Sequence, residues 1–119
     1  MFNVRVYKSI WNKGKREVDE ILHNQPKRIQ ELKSTPYFYD ISIEFPPFVN
    51  LVISSGNWNS GKITRVRWDN DKRQFYCSTE DEFPSENERS RHIQTQEVDE
   101  EHLKNKCLRG GWQQLTKES

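Results

Sequence analysis

Residues 56–62 have the outline of a phosphate-binding P-loop, with a glycine, four residues and a Gly-Lys pair after an apolar stretch. Such a loop needs Ser or Thr directly after the lysine, because that hydroxyl holds Mg²⁺, but Ile63 stands there. A helix should also begin at this point to direct its N-terminus at the phosphates, whereas residues 62–68 favour a strand. We therefore predict a turn-rich loop at residues 54–61 and no nucleotide site.

Basic and aromatic side chains are interleaved in the segment that follows. Residues 62–68 and 73–78 are typical of two strands, joined by a four-residue turn at residues 69–72. Cations beside aromatic rings can follow a nucleic-acid backbone and stack on its bases. The candidate nucleic-acid-binding residues are Lys62, Arg65, Arg67, Lys72, Arg73, Trp58 and Trp68.

The alternation of side chains along this first strand predicts which residues share a face. Ile63, Arg65 and Arg67 are expected on one face, with Val66 and Trp68 on the other. The alternative to a nucleic-acid site is a solvated sheet face, which the small net charge of +1 and the acidic residues in the turn favour.

Negative charge is concentrated in residues 79–101, where nine acidic residues stand against two basic ones. A clustered field of this kind can speed the encounter with a basic partner and orient it, with an exposed aromatic side chain as anchor. The alternative is a solvated loop followed by the acidic first turn of a helix. The candidate partner-binding residues are Glu80, Asp81, Glu82, Phe83, Glu86 and Glu88.

Catalytic and metal-binding patterns are weak in this sequence. The three histidines are scattered, and no Ser, His and Asp spacing suggests a triad. A zinc site from His92, His102, Cys77 and Cys107 is conceivable, but the close Cys-x-x-Cys or His-x-x-x-His pairs are missing. We expect no catalytic residue, no metal, no cofactor and no enzymatic activity.

Composition and length predict one small domain. The chain has 119 residues and only 32% hydrophobic residues, so its six Phe, four Trp and four Tyr must supply much of the core. The N-terminus lacks the pattern of a secretory signal, and no apolar run is long enough for a membrane span. We therefore expect a cytoplasmic protein with no membrane partner, in which both cysteines are reduced and buried.

Hydrophobic periodicity locates the other elements. Alternation predicts strands at residues 2–7 and 37–45, and a continuous apolar run predicts a strand at residues 48–53 that is covered on both faces. Helical spacing at residues 15–33 is interrupted by Pro26, which suits a first helical position. A further strand is predicted at residues 92–98, followed by a helix that Asp99 caps and Gly110-Gly111 ends, after which Trp112 and Leu115 return to the core.

These elements predict an α+β domain in which an antiparallel sheet of four or five strands packs against the helical region at residues 15–33. A small SH3-like β-barrel is the alternative. Residues 80–90 are expected to form an exposed acidic loop, and residues 116–119 a frayed tail. For function, we expect a non-enzymatic protein-binding module, such as an inhibitor, immunity-type factor or adaptor, whose partner is a protein with a basic surface. The alternative is a nucleic-acid-binding protein that uses the hairpin at residues 62–76.

Overall fold

The computed structural model describes residues 1–90, Val98 and residues 100–114. These residues form six strands, three α-helices and one 3₁₀ helix. In chain order the elements are β1 (Phe2–Trp11), α1 (Lys15–Asn24), the 3₁₀ helix (Pro26–Glu31), β2 (Ser34–Ile43), β3 (Val52–Ser55), β4 (Trp58–Asp69), β5 (Gln74–Thr79), α2 (Glu86–Ser90), α3 (Glu100–Arg109) and β6 (Gln113–Gln114).

The strands form one curled sheet, a half-barrel with the order β3-β4-β5-β1-β2-β6. The α+β class is confirmed, but the prediction of a purely antiparallel sheet of four or five strands is wrong. Strand β1 runs parallel to β5, from Asn3 opposite Gln74 to Tyr7 opposite Ser78, and antiparallel to β2. This pairing joins chain segments about 70 residues apart, so no local pattern predicts it. Among the described residues no pairing closes the sheet into the alternative SH3-like barrel.

The main core fills the inner face of the half-barrel, and helix α3 covers it. Leu103 and Cys107 of α3 belong to this core, whereas Val18 and Ile21 of α1 are buried outside it. The main helical contribution to the core therefore comes from α3, not from residues 15–33 as predicted. The strand side chains of the core are Val4, Val6, Ile10, Tyr37, Ile43, Ile53, Trp58, Ile63 and Cys77.

Helix α1 and the 3₁₀ helix meet where the sequence predicts a break. Pro26 occupies the start of the 3₁₀ helix, where its missing N–H group would have no acceptor in the helix. Leu22 and Ile29 are about half exposed, which leaves only a narrow apolar stripe on this region. The break at Pro26 is thus confirmed.

Three aromatic rings hold the two ends of the curled sheet together. Tyr39 of β2 stacks on Trp58 at the start of β4, with ring centroids 4.1 Å apart and an interplanar angle of 12°. Trp112 packs against the same indole at 5.4 Å. Gly111 has a φ of +93°, and a Cβ there would lie 3.4 Å from the Cβ of Trp58. A glycine therefore lets the chain turn back after α3, as predicted, and brings Trp112 into the core.

The segment between β2 and β4 differs from the prediction. Phe48 and Val49 are about half exposed, and the strand begins only at Val52, so residues 48–53 are not a strand covered on both faces. Asn50 has a left-handed φ of 78°, which interrupts the extended run. The predicted loop at residues 54–61 is a two-residue turn at residues 56–57, since Ser55 already pairs with Trp58. Gly56, with a φ of +60°, stands where type II′ hairpin turns favour glycine.

We predict that Trp58→Ala lowers the free energy of unfolding by about 3–5 kcal/mol, because it removes the ring that joins β2, β4 and Trp112. Trp58→Phe should cause a clearly smaller loss, since it retains an aromatic ring and removes an indole N–H that is buried without a hydrogen-bond partner among the described residues. Urea unfolding measures both. Trp68→Ala is the control, because Trp68 is 43% exposed, and equal losses for Trp58→Ala and Trp68→Ala would contradict this role.

Candidate functional site

The chain after β5 is fastened to strand β1. The backbone N–H of Glu82 donates to the carbonyl of Ser9, and the N–H of Trp11 donates to the carbonyl of Glu82. The carboxylate of Glu82 forms ion pairs with Lys8 of β1 and with Lys106 of α3. Two lysines of this chain, Lys8 and Lys106, therefore pair with Glu82, which was predicted to bind the cations of a basic partner.

Glu88 makes a second set of internal ion pairs. Its carboxylate accepts a hydrogen bond from Lys106 Nζ at 3.0 Å and lies 3.1 Å from His102 Nε2. Burial raises the pKa of the Glu88 carboxyl, but the bonds from Lys106 and His102 outweigh it and bring the pKa to about 2. Because Lys106 reaches both Glu82 and Glu88, these contacts connect β1, α2 and α3.

Asp81 and Phe83 both contact Trp11 of β1. The indole Nε1 of Trp11 donates to Asp81 Oδ2 at 3.2 Å, and the Phe83 ring stacks on the indole with centroids 6.3 Å apart. Phe83 is only partly exposed. Glu80 and Glu86 are exposed, and neither forms an ion pair with any described residue. Of the six predicted partner-binding residues, these two are therefore the least engaged within the chain.

The hairpin of β4 and β5 carries the predicted basic residues. Five of its cations are exposed, and none of them forms an ion pair within residues 1–90, 98 and 100–114. We call these five residues the basic hairpin cluster: Lys62, Arg65, Arg67, Lys72 and Arg73.

Aromatic rings lie beside this cluster on the outer face of the sheet. The Arg67 guanidinium is 4.7 Å from the centroid of the Tyr76 ring, and Tyr76 stacks on Tyr7 at 6.0 Å with an interplanar angle of 13°. The Asp69 carboxylate accepts the backbone N–H groups of Asp71 and Lys72 and so shapes the turn. One cation of the cluster is therefore already placed against a short aromatic stack.

Two details of the predicted hairpin site are wrong. Trp58 is only 2% exposed and belongs to the core, so it offers no ring face to a ligand. Ile63 lies in the core rather than beside Arg65, because the pairing of β4 with β5 shifts register between these two residues. A β-bulge adds one residue to a strand and so breaks the simple alternation of faces. Arg65 and Arg67 remain exposed beyond the bulge, as predicted.

Sequence reasoning missed an unpaired strand edge beside this cluster. Strand β3 pairs with β4 only as far as Val52 opposite Lys62, whereas β4 continues to Asp69. On the side away from β5, residues 64–69 thus have no partner strand among the described residues. The signal available in the sequence is length, since the strand between Pro47 and Gly56 is too short to cover the long first strand of the hairpin.

The structure describes three of the four residues considered for a zinc site, namely Cys77, Cys107 and His102, whereas His92 lies outside the described residues. Cys77 and Cys107 are buried and unpaired, as predicted, and burial raises the pKa of each thiol to about 11. Among the described residues, no group of three His, Cys, Asp or Glu side chains is placed to hold a metal ion. Several other predictions also lie outside the described residues. These are the strand at residues 92–98, of which only Val98 is described, the cap at Asp99, the return of Leu115 to the core and the tail at residues 116–119.

We predict that the protein loses stability in acid partly through Glu88. Its folded pKa of about 2 lies below the ordinary value, so its stabilising effect is complete above about pH 5 and falls as the pH drops toward 2. Glu88→Gln should cost on the order of 1 kcal/mol at pH 7 and little near pH 2. Urea unfolding at several pH values tests this, with Glu86→Gln as control. A Glu88→Gln loss that does not shrink in acid would contradict the assignment.

No family model, no curated protein and no solved structure matches this chain. None of the described helices is both long and apolar enough to cross a lipid bilayer.

Proposed function

We propose that this protein is a non-enzymatic protein-binding module that captures an acidic protein through the basic hairpin cluster. One observation carries the proposal: five exposed cations stand together on one hairpin, and no carboxylate of the described chain pairs with any of them. Such a surface attracts an acidic partner over several ångströms and orients it on approach.

The residue types around the cluster favour a protein as the partner. Trp68 is 43% exposed and lies against Phe75, with ring centroids 4.7 Å apart. Tryptophan and arginine are enriched among the residues that dominate binding energy in protein interfaces. An unpaired strand edge at residues 64–69 supplies backbone groups of the kind that bind extended peptides.

The acidic segment offers less charge to a basic partner than the sequence predicts. Glu82 and Glu88 already form ion pairs within the chain, so their carboxylates are less available to the cations of a basic partner. The pairing residues are Lys8, Lys106 and His102. Glu80 and Glu86 remain as exposed carboxylates. Binding of a basic protein there stays a prediction with weaker support than the hairpin has.

Nucleic acid is the second candidate ligand, and the stack of Arg67, Tyr76 and Tyr7 favours it. Base stacking on aromatic or arginine planes is the usual means of holding single strands. Asp69 at the end of β4 and Asp71 in the turn reduce the attraction for either anionic ligand, so charge alone does not separate the two. The unpaired strand edge favours an acidic protein, because its backbone groups can bond an extended peptide.

We predict that the double variant Arg65→Glu and Arg67→Glu captures at least about tenfold less acidic protein than the native protein does, because it replaces attraction by repulsion. The matched control is Arg16→Glu with Lys27→Glu, which changes net charge equally at exposed positions away from the hairpin. Immobilised protein is exposed to lysate with and without nuclease, and retained proteins are quantified by mass spectrometry. Circular dichroism establishes that each variant is folded.

Two results would contradict this function. The first is equal capture by the native protein, the hairpin variant and the control. The second is capture that disappears on nuclease treatment, accompanied by a gel shift of single-stranded DNA whose affinity falls steeply with salt. That second result would assign the basic hairpin cluster to nucleic acid instead.

A further inference from the structure

We infer that the partner adds a strand to the free edge of β4, and that its binding segment alternates acidic with apolar side chains. This inference rests on the proposed function and specifies the partner of the same surface. The geometry that carries it is the coincidence of an unpaired backbone edge with two side-chain faces of opposite chemistry.

The edge is long enough to hold a short extended segment. Strand β4 runs to Asp69, but its pairing with β3 stops at Lys62, and the backbone bonds from residues 50–51 reach only Ile63. Residues 64–69 are therefore unpaired on this side within the described ranges. Six residues of strand span about 20 Å at 3.3 Å per residue. Unpaired N–H and C=O groups along such a length are a template for one more strand.

The two faces of this edge require different side chains from the incoming strand. Arg65 and Arg67 are exposed on the outer face. On the inner face, Val66 packs against the core and Trp68 is 43% exposed. Since directly opposite residues of paired strands share a face, the incoming strand must present carboxylates beside the arginines and apolar groups beside Val66 and Trp68. Alternation at a period of two residues follows directly.

Charge favours an acidic segment over a second copy of this chain. The one carboxylate of residues 64–69, that of Asp69, accepts the backbone N–H groups of Asp71 and Lys72 and is thereby engaged in the turn rather than offered to an arginine of another copy. An antiparallel pair of two β4 edges centred on Val66 would bring Arg65 of each copy opposite Arg67 of the other. Like charges directly opposite on paired strands are destabilising. Charged side chains on an edge strand are a known defence against such self-pairing. The same two arginines stabilise a strand that carries Asp or Glu at those positions.

A second unpaired edge does not compete with this one. Strand β2 pairs with β6 only at Tyr37 and Phe38, which leaves residues 39–43 without a neighbour on that side among the described residues. Its charged residue, Asp40, already holds Arg5 through hydrogen bonds of 2.7 and 2.9 Å. No unmatched charge remains at residues 39–43 to select a partner, whereas Arg65 and Arg67 on β4 have no ion-pair partner among the described residues.

The test uses fluorescence anisotropy with the full chain and two labelled peptides of equal composition. One peptide alternates leucine and aspartate, and the other carries them in two blocks. We expect the alternating peptide to bind at least about tenfold more tightly, because only it can satisfy both faces at once. Trp68→Ala and the Arg65→Glu with Arg67→Glu variant should each weaken it, and Arg16→Glu with Lys27→Glu should not.

Backbone methylation separates strand addition from simple charge attraction. Two versions of the alternating peptide are N-methylated at every second residue, in opposite phases. In an added edge strand, the N–H groups of alternate residues point toward the protein, so one version should lose binding and the other should retain it. Equal effects in both phases, or equal binding of the alternating and block peptides, would overturn the inference.

The failures of the two proposals are distinguishable. If the block peptide binds as well as the alternating one, and both depend on Arg65 and Arg67, strand addition is wrong while capture of an acidic protein by the basic hairpin cluster stands. If neither peptide binds and the hairpin variant captures as much from lysate as the native protein, both proposals are wrong.

Discussion

The packing of Trp58 between Tyr39 and Trp112 is the contact on which the rest of the structure depends. It joins the first residue of β4 to β2, which lies three strands away in the sheet, and so sets the curl of the half-barrel. Among the described residues, the aromatic stack between strands that are not neighbours lies at this end of β4. Beyond Ile63, β4 shifts register and extends past its pairing with β3. The free edge is therefore the part of β4 that β3 is too short to reach.

The ion pairs of the described residues leave the five cations of the basic hairpin cluster without a carboxylate partner. Lys8 illustrates how closely the acidic segment is tied to the fold, because it pairs with Glu82 while lying 5.2 Å from the centroid of the Trp112 ring. Glu82 therefore pairs with a lysine of β1 and a lysine of α3, and the first of these also contacts the Trp112 ring. Carboxylates engaged in this way cannot also offset the arginines of β4. Glu82 and Glu88 are thus paired within the chain, whereas the cations of the hairpin keep no ion-pair partner among the described residues.

Local chemistry explains which features could be predicted from the sequence. The break at Pro26, the hairpin turn and the reversal at Gly110-Gly111 depend on residues close together in the chain, and the structure contains all three. The hairpin turn lies at residues 70–73, one residue later than predicted, because Asp69 still pairs with Gln74. The parallel pairing of β1 with β5 and the pairing of Lys8 with Glu82 join segments more than 60 residues apart. No periodicity or spacing encodes such contacts.

The predictions that are wrong at the candidate site also concern contacts between residues far apart in the chain. Alternation predicts the exposed face of Arg65 and Arg67, but it misplaces Ile63, because a bulge depends on how the partner strand is bonded. Trp58 is of a residue type that is common in binding sites, but it lies in the core. Its contacts with Tyr39 and Trp112, which are distant in the chain, place it there. The basic hairpin cluster is therefore predictable as a set of cations, whereas the position of the unpaired edge depends on where the pairing of β3 with β4 stops.

An edge strand that binds a partner must meet two opposing requirements. It has to leave its backbone groups open, and it has to prevent two copies of the protein from pairing through the same groups. Uncharged or alternating-sign side chains would meet the first requirement and fail the second. In the proposed mode of binding, Arg65 and Arg67 meet both, because they repel an identical edge paired about Val66 and attract an acidic one. Protection against self-association and selection of the partner can therefore be the work of the same pair of residues.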